Sequence, residues 1–232
     1  MKKSMLTFII LAVFALSLTI VPGARATLVG ITSTGNPTDD LTISSSQWIG
    51  KQFTTGGGGT NWNLASLQLT ARYLQTGPTG FNVSLYSSTN GKPGTLITTL
   101  SGTTPTLGTY ANFTYTAPAN TSLIQNTTYW IVMSSPVLNS YSIQTAAGGT
   151  ANNTYTGLTG WSYADGIAWS GSSGAGWTIY SGDRNPLLQV NLVGGGGGAV
   201  ATPEPGTMML LGSGVLTFGL SRFRRRKREV IA

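Results

Sequence analysis

Tyr129-Trp130-Ile131-Val132-Met133 is the stretch that decides the fold. It is aromatic and β-branched and holds no breaker, so it predicts a central strand. Asn126-Thr127-Thr128 leads into it from Leu123. Outward from it, the same grammar repeats. Leu64 to Ala71 and Phe81 to Tyr86 alternate with period two, the pattern of half-buried strands. Thr76-Gly77-Pro78-Thr79-Gly80 between them is turn chemistry. Asn90-Gly91-Lys92-Pro93-Gly94 makes a tight connection into Thr95 to Leu100, through positive φ at glycine and the fixed φ of proline. Thr109 to Thr116 predicts a strand around Phe113 and Tyr115.

Farther out, Thr27 to Ile31, Gln47 to Thr54 and Tyr141 to Thr145 read as strands, and Leu187 to Val193 as the closing one. Ser33 to Asp40 is expected to be a turn-rich connection, and Gly56 to Gly59 a flexible loop. Gly148 to Gly182 is rich in Gly and Ser but carries Tyr155, Trp161, Tyr163, Trp169, Trp177 and Tyr180. Aromatics between glycine turns complete a small β core. No stretch of the body reads as an amphipathic helix, because charged helix formers are scarce. The expectation for 27–193 is an all-β domain, an antiparallel β-sandwich or jelly-roll-like fold.

The chain has 232 residues and a formal net charge of +7, but the excess sits at the ends. Between Thr27 and Thr202, Lys51, Arg72, Lys92 and Arg184 cancel Asp39, Asp40, Asp165 and Asp183. The body therefore gives no support to nucleic-acid binding. Charged residues are only 8% of the chain, and polarity comes from Thr, Ser, Asn and Gly, which fits an exported surface. There is no Cys and no His. That removes most nucleophile–base catalytic arrangements and nearly every soft metal site. No cofactor, metal or catalytic residue is expected, and the chain reads as a non-enzyme.

Lys2 and Lys3 precede an apolar run from Met5 to Val21, which Pro22-Gly23 breaks. Ala24-Arg25-Ala26 follows, so residues 1–26 read as a signal peptide cleaved after Ala26. The translocon and signal peptidase are the implied partners. At the other end, 194–202 is a glycine-rich linker. Residues 203–228 then carry Pro203-Glu204-Pro205, an apolar segment over 207–221, and a basic cluster over 222–228 of Arg222, Arg224, Arg225, Arg226, Lys227 and Arg228. The apolar segment is short for a bilayer core, which takes about twenty residues. It is expected to be a transmembrane sorting helix with the arginines on the cytoplasmic side.

This tail resembles a PEP-CTERM sorting signal, with Pro203-Glu204-Pro205, the Leu210 to Gly214 segment and the basic end in order. Thr202 stands where that family often has Val. The resemblance implies an exosortase, a membrane transpeptidase-like enzyme of Gram-negative bacteria with exopolysaccharide systems, acting near Pro203-Glu204-Pro205. It further implies transient anchoring in the inner membrane with the C-terminus cytoplasmic, then transfer of the body to the cell surface or extracellular matrix. The body resembles a choice-of-anchor domain of the R type. The residues that carry this are Gln52-Phe53-Thr54-Thr55, Val83-Ser84-Leu85-Tyr86, Gly91-Lys92-Pro93-Gly94, Asn126-Thr127-Thr128-Tyr129-Trp130, Gly160-Trp161 and Asp165-Gly166. That resemblance implies an extracellular location and no catalytic residues.

The leading expectation is thus a non-enzymatic exported protein with a structural or adhesive role. One alternative is a carbohydrate-binding module for exopolysaccharide, with Trp161, Tyr163, Trp169 and Trp177 stacking on sugar rings. Core filling is the favoured reading of those rings. A second alternative is a hydrolase using Asp165 and Asp183 as a carboxylate pair, against the commoner role of loop aspartates in turns and solvent. Asp39-Asp40 reads as a solvated pair, since a calcium loop needs further oxygen ligands at regular spacing. Sequons stand at Asn82, Asn112, Asn120, Asn126 and Asn152, and each also fits a turn.

Overall fold

A computed structural model describes residues 27–193 apart from 34, 36, 59–60, 77–78, 139, 147–154, 165, 172 and 182–183. The expected signal peptide, linker and sorting tail lie outside the described residues. So do Asp165, Asp183 and the sequon at Asn152.

The strands are β1 (Thr27–Ser33), β2 (Pro37–Ile43), β3 (Trp48–Thr54), β4 (Trp62–Tyr73), β5 (Asn82–Thr89), β6 (Lys92–Gly102), β7 (Ala111–Thr116), β8 (Ser122–Leu123), β9 (Thr128–Ser134), β10 (Tyr141–Ala146), β11 (Tyr155–Gly157), β12 (Ser162–Tyr163), β13 (Ile167–Ser170), β14 (Thr178–Tyr180), β15 (Asn185–Pro186) and β16 (Leu188–Val193). The described residues contain no helix, so none is long and apolar enough to cross a membrane. The strands form one curled antiparallel sheet. One arm runs β11-β1-β16-β4-β7, with β8 and β10 also on β4, and β2 and β15 on β10. The other runs β6-β5-β9-β3-β13-β14, with β12 on β3. β6 joins the arms, because Ser101 and Gly102 pair with β7 while Val83 to Thr89 of β5 pair with its earlier residues.

β9 lies between β3 and β5, as its sequence predicts. Its apolar run is continuous because both of its faces are covered. Tyr129, Ile131 and Met133 enter the main core. Trp130 and Val132 face the other way, under Ala168 and Trp177, with Trp48 and Tyr86 packed at the side. A strand buried on both faces has no use for alternating polar residues.

β4 shows where simple alternation fails. Leu64 and Leu67 are both buried, although an odd spacing should put them on opposite faces. The register against β16 shifts between Asn191, which meets Ser66, and Leu192, which meets Leu64. Ala65 is the extra residue of a β-bulge, and the bulge returns Leu64 to the inner face. From Leu67 through Leu69, Ala71 and Tyr73 the alternation is regular.

Two further elements separate prediction from outcome. Asn90 and Gly91 take φ of 52° and 70° in a two-residue connection between β5 and β6, the hairpin their types imply. By contrast, Pro37–Ile43 is a strand and takes in the second half of the turn-rich connection expected from Ser33 to Asp40. β2 is an outer strand that pairs with β10. An edge position accepts proline at its start and aspartates along it.

Candidate functional site

Ile167 to Ser170 forms β13 on the edge side of β3, and its hairpin partner β14 ends the second arm. Along β13, Ala168 faces Trp130 and Trp177, while Ile167 and Trp169 face the main core. Trp169 reaches the rim of that core and stays half-buried. Its ring meets Tyr180 edge-on, with centroids 6.4 Å apart. With Leu41, Gln47, Ile49 and Ile167 these rings line a depression of ≈ 150 Å³. Small-molecule pockets hold about 300–1,000 Å³. This rim is a platform for one apolar face of a ligand rather than an enclosing pocket.

The other candidate stacking residues lie elsewhere. Trp161, Tyr163 and Trp177 are 8%, 7% and 8% exposed. Trp161 stacks on Phe53 at 6.0 Å with rings nearly parallel, and Trp62 meets it edge-on at 5.9 Å. The Tyr163 hydroxyl donates to the Leu188 carbonyl at 3.1 Å, and full burial pushes its pKa well above the ordinary phenol range. Trp177 covers the outer face of β9. Of the four rings that the sugar-stacking alternative named, Trp169 alone reaches the surface, joined there by Tyr180, which the sequence reading did not select. The reason is packing: these ring faces are already occupied by other rings and by β9.

Lys51 was counted only as a cancelling charge, yet it is among the most buried side chains, at 1% exposure. Ile49, Lys51 and Phe53 stand at alternate positions of β3 and so share one face. Since Ile49 and Phe53 are both fully buried, Lys51 must follow them inward. Its ammonium donates to the Ala164 carbonyl at 2.6 Å and the Gly166 carbonyl at 3.1 Å, and it contacts Asn185 Oδ1. The Tyr163 ring lies 5.7 Å from Nζ. The spacing within β3 was a legible signal for this inward lysine. Its acceptors, far away in sequence, were not.

Asp39 and Asp40 are not simply solvated. Arg184 Nε pairs with Asp39 at 2.8 Å, and Arg184 also donates to the Asp40 carbonyl at 3.0 Å. Asp40 Oδ2 accepts from the Tyr110 hydroxyl at 2.7 Å, from Ser142 at 2.9 Å and from Arg72 at 3.4 Å. The Arg72 guanidinium lies 4.4 Å from the centre of the Tyr110 ring. The Tyr110 hydrogen bond is the largest cause holding the Asp40 carboxyl below its ordinary value; partial burial opposes it, and Ser142 and Arg72 assist. The pair thus fastens β2 to β4 and to the chain before β15. Among the described residues no group of His, Cys, Asp and Glu could hold a metal ion.

Asn120 and Asn126 adopt φ of 62° and 49°, which accounts for Asn at those turns. Asn82 and Asn112 are exposed strand residues, so the turn explanation does not extend to them. Ala24, Ala26, Pro203, Glu204, Pro205 and the basic cluster from Arg222 to Arg228 lie outside the described residues. The body's own ends are adjacent. Thr27 of β1 pairs with Val193 of β16, and Val193 pairs with Asn63 of β4.

No curated protein matches the chain. Among solved structures, the chain is similar to the cysteine protease and lectin-like domains of Cwp84, a surface layer associated protein of Clostridium difficile. That match has 9% identity and a TM-score of 0.44, covering 68% of this chain and 36% of that one. A second similarity is to a structure of infectious bursal disease virus, Gx strain, at 13% identity and a TM-score of 0.32, covering 89% of this chain and 53% of the other. The chain thus spans about a third to a half of these structures. Residues 201–226 match the family model of the PEP-CTERM protein-sorting motif. The chain therefore carries a PEP-CTERM sorting signal, which implies export and membrane-associated sorting toward the cell surface, and which exosortase-type processing enzymes recognise.

Proposed function

We propose that this is a non-enzymatic surface or matrix protein whose body has a structural or adhesive role. In this reading the curled sheet is a two-layered sandwich of the choice-of-anchor R kind, and the exosortase acts near Pro203-Glu204-Pro205. The observation that carries it is the polarity of the body. Both of its ends, Thr27 and Val193, leave from one end of β4. The tail therefore tethers that end. At the other end of β4, roughly 33 Å away at about 3.3 Å per strand residue, three loops converge. Tyr73 bridges to Leu107, and Leu74 donates to the Ser140 carbonyl at 3.1 Å. These loops expose Leu74, Leu107 and Leu138, the last at 86%. Apolar side chains gathered at the end away from a tether suit an adhesive contact with a protein partner.

The test replaces Leu74, Leu107 and Leu138 together with Ser in the host. Cell aggregation and retention in the matrix should fall, while secretion and processing stay normal. Unchanged aggregation would remove the adhesive reading. Sorting is tested separately by the intact mass of the mature protein, which should lack everything after the Pro203 to Pro205 region. Full-length protein held in the inner membrane would contradict it.

A second reading, a module for extracellular polysaccharide, rests on the Trp169 and Tyr180 rim. A glycan-binding screen in which Trp169→Ala abolishes a signal would favour it over the adhesive tip.

A further inference from the structure

We propose that Lys51 and Asn185 form an intramolecular isopeptide crosslink between the two arms of the sheet. Lys51 projects from β3, in the second arm. Asn185 opens β15, which pairs with β10 in the first arm. The two are 134 residues apart in sequence, yet Lys51 Nζ is in contact with the Asn185 side-chain amide. Both side chains are inaccessible to solvent, at 1% and 0% exposure. Asn185 Nδ2 is buried and has no hydrogen-bond partner among the described residues. A buried amide nitrogen without an acceptor is costly as a permanent feature. It is the atom that departs in the reaction proposed here.

The reaction balances without oxidant or reductant. Once the Lys51 ammonium has released a proton to solvent, Nζ attacks Asn185 Cγ as the neutral amine and forms a new C–N bond. The Cγ–Nδ2 bond breaks. One proton passes from Nζ to Nδ2, which leaves as ammonia. The product is a secondary amide that keeps one N–H donor, and the Ala164 carbonyl, 2.6 Å from Nζ, is placed to accept it. Local geometry holds the amine ready. The Ala164 and Gly166 carbonyls both accept from Nζ, and the Tyr163 ring closes one side at 5.7 Å. Gly166 holds φ of +88°, a conformation that favours glycine, so its carbonyl can face the amine. Burial excludes the water that competes with the amine for the amide carbon. The chain has no Cys, so such a bond would supply the covalent closure that exported domains otherwise obtain from disulfides.

Peptide mapping of the full chain purified from its host decides the matter. Trypsin cuts after a free Lys51 but not after an acylated one. The expected product is a branched peptide joining the uncut segment around Lys51 to that around Asn185, lighter than those two segments together by one ammonia. Lys51→Arg and Asn185→Ser should each abolish it and lower the thermal midpoint. Linear peptides alone, ending at Lys51 and containing unmodified Asn185, would overturn the proposal. The unsubstituted protein gives that answer by itself, so a variant that fails to fold does not blunt the test.

Discussion

Trp161 and Trp169 belong to the same glycine-rich segment and have different surroundings. Trp161 is enclosed between Phe53 and Trp62. Trp169 stops at the rim beside Tyr180. Neither residue type nor local composition separates them. The chain between them does. Gly160 turns with φ of +81° against Gly56, and the chain then follows β3 as β12, with Ser162 against Thr54 and Tyr163 against Phe53. It turns again at Gly166 and continues along β3 in the same direction as β13, now opposite Gly50, Ile49 and Trp48. Position along β3 assigns each ring its neighbours. The lesson is that a glycine-rich segment specifies burial through the strand it lies on, not through its own pattern.

Emptying the enclosed site has the largest expected effect. Trp161→Ala is expected to cost about 3–5 kcal/mol, the range for removing a large buried aromatic. Denaturant melts of the body would show it as a lower midpoint. Trp161→Phe should recover most of the loss. It keeps a ring against Phe53 and removes an indole N–H that has no hydrogen-bond partner among the described residues. A cost for the alanine variant of no more than about 0.5 kcal/mol, the scale of an ordinary surface change, would mean that the ring does not belong to the core.

Gly166→Ala attacks the turn between the two rings. The added Cβ would collide with the Tyr180 carbonyl oxygen, a backbone atom that cannot swing away. Strain at such a φ alone costs about 1–3 kcal/mol. The collision should carry the loss to the top of that range and displace β14. Calorimetry checks the first effect. Fluorescence checks the second, since Trp169 loses Tyr180 as its neighbour while Trp161 keeps Phe53.

Much of this architecture was legible in the sequence, and the failures have local causes. The strands through Trp130, Phe113 and Val190 announced themselves because apolar residues outnumber breakers there. The hairpin at Asn90-Gly91 did so through its turn chemistry. β2 was missed because Pro37, Asp39 and Asp40 argue against a strand unless an edge position excuses them. The bulge at Ala65 was missed because Leu64 and Leu67 flank a stretch that otherwise alternates. Core filling was the favoured reading of the rings, but which of them would stop at the rim could not be read, since Phe53 and Trp161 meet across about a hundred residues. Lys51 was half legible: its phase with Ile49 and Phe53 pointed inward, but nothing near it named Asn185. In the tail the balance is reversed. There the motif itself is the message, so residues 201–226 reveal a sorting signal from the sequence alone.

Acid acts on neither tryptophan but on the carboxylate that fastens β2. The Asp40 carboxyl is held below its ordinary value of 3.8, chiefly by Tyr110. A lowered folded value means that stability is fully present above pH 3.8 and is lost as pH falls through the lower folded value. Asp40 is 43% exposed, so solvent screening limits the effect to about 0.5–1 kcal/mol. Asp40→Asn should lower stability at neutral pH by that amount and flatten the acid limb of the stability curve. Equal slopes in both proteins would show that the Tyr110, Ser142 and Arg72 contacts do not favour the charged carboxylate.

A comparably small effect on stability is the most informative about function. Trp169→Ala removes a half-buried ring from the rim, and with solvent already on one side the cost should stay near 1 kcal/mol. The rim therefore separates structure from recognition in a way that Trp161 cannot, because any variant at Trp161 confounds folding with binding. If polysaccharide is the ligand, Trp169→Ala abolishes retention on it at nearly full stability, and Tyr180→Ala does the same more weakly. If the adhesive tip is correct, both variants aggregate cells as the parent does, and the Ser substitutions at Leu74, Leu107 and Leu138 are the ones that fail. The two readings predict opposite rankings of the same variants, so one aggregation assay and one retention assay on a shared panel choose between them.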